Sequence, residues 1–138
     1  MTKSKKPSQF DWQARELPDW NVNTFMAYIA DKTKELYGVD YAPGGTGVKT
    51  SRYSRERGMM KNAIGQYGNA VVKRFIDICW REYRTNKPEQ FPYPSWTFMY
   101  SCMDRYFPQA QSEVARESRR EERKKDGGID YEELADWL

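Results

Sequence analysis

The chain has 138 residues, enough for one domain with a real core and too few for two. Charged residues make up 31% of it and aromatics 15%, with a net formal charge of +3; chains this polar are often disordered, so the aromatic content argues for a compact centre carrying polar extensions. Histidine is absent and there are two cysteines, which removes the commonest general base and metal ligand; no cofactor, no metal and no histidine-based catalysis are expected.

No run approaches the roughly 18 apolar residues of a membrane span, and "MTKSKKPSQ" lacks the apolar stretch of a secretory signal. A soluble, cytoplasmic protein is expected, with no membrane partner. Cys79 and Cys102 both fall in apolar helical patterns, where a reduced thiol acts as a small hydrophobe.

Residues 1 to 20 read as a polar arm whose Phe10, Trp12 and Trp20 pack onto the domain or a partner. Asn23 is a candidate cap for a helix with Phe25, Met26, Ile29, Leu36 and Tyr37 on one side, ending at Gly38. A glycine-rich loop follows, "YAPGGTGVKTSR". It resembles a phosphate-binding loop, but Val48 separates Gly47 from Lys49 and Ala42 stands where the first glycine belongs. A second helix is expected from about Ser54 to Tyr67, burying Met60, Ala63, Ile64 and Tyr67, with Gly68 ending it in a left-handed turn.

Asn69 is the candidate cap of a third helix, Ala70 to about Arg84, whose apolar stripe is wide enough to make it central. The prolines of "NKPEQFPYPS" forbid a helix there, and Ser95 caps a fourth from Trp96 through Phe107, closed by Pro108. From Gln109 the composition turns to charge, read as a solvated helix or linker over 109–128. The terminal "IDYEELADWL" carries a capping box, Asp130 and Glu133, and apolar residues three and four apart. The expected fold is all-α: a polar arm over 1–20, a four-helix core over 21–108, a charged helix over 109–128 and an acidic amphipathic segment over 129–138.

Charge is unevenly distributed. Residues 49–87 hold ten basic side chains against Glu56, Asp77 and Glu82, whereas residues 126–138 hold five acids and no base. A basic helical pair interleaved with tyrosine suits a phosphate backbone. The candidate nucleic-acid contacts are Lys49, Arg52, Tyr53, Arg55, Arg57, Lys61, Lys73 and Arg74, with the glycine-rich loop as a flexible, closely approachable element of that surface. A mobile solvated loop is the plainer alternative. The short Tyr67-Gly68-Asn69 turn would also suit a helix-turn-helix, but its second helix is apolar over most of its circumference, which favours backbone binding over base reading.

About eight residues are too few to hold a helix in water, so the terminal segment must dock, onto its own domain or into a partner's groove. Tyr131, Glu132, Glu133, Leu134, Asp136, Trp137 and Leu138 are its candidate contact residues.

The stretch "MMKNAIGQYGNAVVKRFIDICWREY", followed by a proline break and "SWTFMYSCMDRYFPQ", resembles small phage and prophage replication accessory proteins, including the carboxy-terminal helical module of DnaD-like primosome proteins. The acidic end is similar to tails by which phage transcription coactivators hold clamps or polymerase. These resemblances imply DNA binding, helicase loading or transcription regulation in a bacterial host cell, through a partner of the replication or transcription machinery. Asp77, Glu82 and Asp104 are more simply partners for Arg74, Arg81 and Arg105 than acid–base catalysts, so no enzyme is expected. The rival reading is a pure protein-binding adaptor or inhibitor of a host enzyme.

Overall fold

The computed structural model describes residues 7–125. The terminal segment proposed to dock, residues 129–138 from Tyr131 to Leu138, lies outside the described residues. The described chain folds into five α-helices: α1 Val22–Tyr37, α2 Lys49–Tyr67, α3 Asn69–Glu82, α4 Trp96–Cys102 and α5 Phe107–Lys125, with 3₁₀ turns at Leu17–Asp19 and Asp104–Tyr106. Among the described residues there is no strand, and no helix is long and apolar enough to cross a membrane.

The N-terminal segment packs onto the helices. Trp12 Nε1 donates to Asp31 of α1 at 2.8 Å, and its ring meets Tyr28 edge-on at 4.8 Å. Trp20 is buried against Phe25 and Tyr28. Helix α1 is capped by Asn21, two residues earlier than expected, because Asn21 and Thr24 exchange reciprocal side-chain to backbone bonds in a capping box worth about 1 kcal/mol. Asn23 instead braces Gln9 and Arg57. Phe25 and Ile29 are fully buried, but Leu36, expected on the same face, is exposed in the last turn, where Tyr37 packs against the core instead.

Helix α2 begins at Lys49, five residues before the expected start. The basic run therefore belongs to a helix and not to a flexible loop. Gly68 has the positive φ expected, 84°, but its ψ of 161° is extended, not left-handed helical. The chain runs straight on into α3, with Gly68 as the cap and Asn69 released from capping. Asn69 Nδ2 donates to the carbonyls of Leu17 and Trp20, both at 2.8 Å, and so fastens the N-terminal segment to α3.

Helix α3 is central. Val72, Phe75, Ile76, Ile78 and Cys79 are buried, and the helix packs against α2, α5 and the first 3₁₀ turn. Both cysteines are free: Cys79 sits in the core, where burial pushes its thiol well above its usual range, while Cys102 is exposed at the end of α4 and not buried as its apolar context implied.

The expected fourth helix, Trp96 to Phe107, is broken in two. Helix α4 stops at Cys102, and a 3₁₀ turn redirects the chain so that Phe107 opens α5. The reason is ring packing: Phe107 stacks parallel on Phe75 at 3.7 Å and on Tyr67 at 4.0 Å, a sandwich that a straight continuation of α4 would not reach. Pro108 then occupies the first turn of α5, where its missing N–H has no partner to lose, so it starts a helix and does not close one. The expected boundary at 108/109 falls inside α5, which Phe107 and Ala110 seat on α3. Arg74 of α3 clamps the same interface through Glu113, at 3.1 Å, and Glu117.

Candidate nucleic-acid interface

The candidate surface is organised around a carboxylate that the charge pattern did not single out. Glu56 is fully buried on the inner face of α2. It accepts from Tyr41 Oη at 2.6 Å, Gly44 N at 3.1 Å, Thr97 N at 2.8 Å and Thr97 Oγ1 at 2.7 Å. Thr97 lies in the first turn of α4, so Glu56 also places negative charge at a positive helix end. Tyr41 in turn accepts from Trp96 N at 2.9 Å, and burial followed by the charge of Glu56 drives its phenol far above its ordinary range. One side chain thus joins α2, the segment 41–44 and α4.

The glycine-rich loop is correspondingly held down. A Cβ on Gly44 would overlap the Ser95 side chain, which itself caps α4, so this glycine permits close packing and does not supply the flexible element expected. Arg52 donates to the Pro43 carbonyl at 2.8 Å, and Arg55 to the Thr46 carbonyl. These bonds are to neutral acceptors, and among the described residues neither guanidinium forms an ion pair.

The structure divides the eight expected contact residues into three groups. Lys49, Tyr53, Arg57 and Lys61 recur every fourth residue along one edge of α2, a stripe about 18 Å long at 1.5 Å per residue. Lys49, Tyr53 and Arg57 line a shallow depression with Thr50 and Ser54. Tyr53 is half-buried, its phenol raised by burial and then by the Glu56 charge, and Arg57 donates to Asn23 at 2.8 Å. Arg52 and Arg55 fall on the other edge, over the loop. Lys73 and Arg74 lie apart on α3 and are paired: Lys73 with Asp77 at 3.1 Å, above the Tyr28 ring, and Arg74 with Glu113 and Glu117. Among the described residues none of Lys49, Arg52, Arg55, Arg57 and Lys61 has a carboxylate partner. The only acid within that run, Glu56, faces inward.

Beyond the Arg52 edge lies a mostly apolar groove of about 1170 Å³ between the segment 39–45, the turn after α3 and α4. Its walls include Tyr83, Phe91, Tyr93 and Phe98, which lie too far apart in the sequence for any spacing rule to link them. Tyr83 Oη donates to the Phe91 carbonyl at 2.8 Å, and Tyr93 Oη accepts from Ala42 N at 2.8 Å. Phe91 and Phe98 nevertheless remain 57% and 42% exposed, too much for rings that only fill a core.

Two of the three acids weighed for catalysis are engaged, while among the described residues Asp104 forms no ion pair with Arg105, which donates instead to the Cys102 carbonyl. Asp77 bonds Lys73 and Tyr28, and Glu82 bonds Arg81. Among the described residues no three cysteine or acidic side chains converge to hold a metal ion. Comparison with family models, with curated proteins and with solved structures finds no match to this chain. Its site is read from its own chemistry.

Proposed function

We propose that this protein is a non-enzymatic accessory factor that binds nucleic-acid backbone along α2 and serves phage DNA replication or transcription. The observation that carries the reading is the imbalance on α2: five cations without carboxylate partners among the described residues, and one acid turned into the core. Cations that displace condensed counterions give affinity independent of sequence, and a stripe at helical spacing follows a row of phosphates. The acidic segment 129–138 is read as the element that engages a protein of the replication or transcription machinery.

A salt titration of binding to a mixed-sequence DNA oligomer tests the reading. Affinity is expected to fall steeply with salt, and Lys49→Glu with Lys61→Glu to reduce the slope by about one unit per lost phosphate contact. Arg74→Ala should leave DNA affinity unchanged, since Glu113 and Glu117 already occupy that guanidinium. Absence of binding at low salt removes the proposal in favour of a protein-only adaptor.

A further inference from the structure

Resting on the backbone reading above, we infer that the preferred ligand is single-stranded nucleic acid, with its phosphates on the first turn of α2 and its bases in the adjoining aromatic groove. Three observations converge. Lys49, Thr50 and Tyr53 line the shallow depression on one edge of α2 while Arg52, from the same turn, lines the groove on the other, so the cationic first turn of α2 stands between the two concavities. Arg84 stands on the groove's other side, where among the described residues its hydrogen bonds go to the carbonyls of Arg81 and Tyr83. The acid at the rim, Asp40, is held by Lys34 at 3.1 Å, which leaves the lip net positive.

Between these cations the groove presents Phe91 and Phe98 as exposed rings, Phe98 meeting Tyr83 edge-on at 5.8 Å. Phosphate donors at the edge and aromatic faces inside are the two components of single-strand recognition, because every base has a π-face to stack and only an unpaired base can leave its helix to do so. A duplex keeps its bases stacked and can use the cations alone. The positive lip and the size of the space also suit an acidic peptide, but a peptide gains little from two flat exposed rings flanked by arginines, whereas an unpaired base gains both stacking and charge neutralisation.

The test uses the full chain with a fluorescein-labelled oligothymidylate and a duplex of matching length. Tighter binding of the single strand is expected. Phe91→Ala with Phe98→Ala should weaken single-strand affinity by about tenfold per ring while duplex affinity and helix content stay unchanged. Phe91→Trp keeps a stacking surface and should hold the affinity, with indole fluorescence quenched on adding the single strand. Equal affinity for both probes, with no effect of the double substitution, overturns the inference and leaves the backbone reading intact. Failure of both probes at low salt overturns both. Saturable binding of a synthetic peptide of residues 129–138, lost in the double variant while oligomer binding persists, also overturns it and makes the groove a protein dock.

Discussion

Replacing Glu56 by alanine is expected to cost more stability than any other single change to a charged residue in this protein. The carboxylate is fully buried and receives four hydrogen bonds, from Tyr41, Gly44 and twice from Thr97. A bond to a charged group is worth about 1.5–3 kcal/mol net, and a donor left dry costs about 1–3 kcal/mol. Water entering the vacated space would recover part of that, so the sum is discounted to about 4 kcal/mol. Against a typical total of about 5–15 kcal/mol this is a large fraction, equivalent to a fall in Tm of about 10–20 °C for a chain of this size. Glu56→Gln keeps the volume and one acceptor oxygen for Thr97 but presents an amide to the Tyr41 hydroxyl; a loss of about 2 kcal/mol is expected. Urea denaturation followed by circular dichroism and tryptophan fluorescence measures both. A loss below about 1 kcal/mol for Glu56→Ala would refute the claim that this side chain holds the loop, α2 and α4 together.

Gly44→Ala should destabilise by about 1–3 kcal/mol in a thermal melt, because the added methyl displaces the Ser95 side chain from its capping position. Phe107→Ala removes the middle ring of the Tyr67–Phe107–Phe75 stack and should cost about 3–5 kcal/mol by denaturant titration, loosening α5 from α3. Burial alone would raise the Glu113 carboxyl, but hydrogen bonds from Gln109 and Arg74 and the charges of Arg74 and Arg81 outweigh it and hold it below its ordinary range. With the folded value below the unfolded one, the contribution is complete above pH of about 4.3 and is lost as pH falls through the folded value. Wild type should therefore lose more stability than Glu113→Gln on acidification through that window, as followed by denaturant titration at several pH values.

How far the fold can be read from the sequence depends on where apolar periodicity continues through an element. Helices α1 and α3 carry apolar residues three and four apart along their length, and both lie within a few residues of expectation. The start of α2 was not visible because Lys49 to Arg52 contain no apolar residue to mark a period, while the glycines just before suggested a loop. The break between α4 and α5 was hidden for the opposite reason: apolar residues run on through it, and the bend comes from a ring pairing with Phe75, over thirty residues away. In the sequence over 49–87 Glu56 is one of three acids set against ten bases, with nothing to mark it as buried. Only the fold reveals that its neighbours are Tyr41 and Thr97, and only the fold brings the groove's rings together.

The carboxylate bridge at Glu56 also sets how a ligand would be received. Because α2, the segment 41–44 and α4 meet at one anchored point, the α2 and α4 sides of the trough are tied to each other before any encounter. Less of the free energy of contact would then be spent on ordering that part of the receptor.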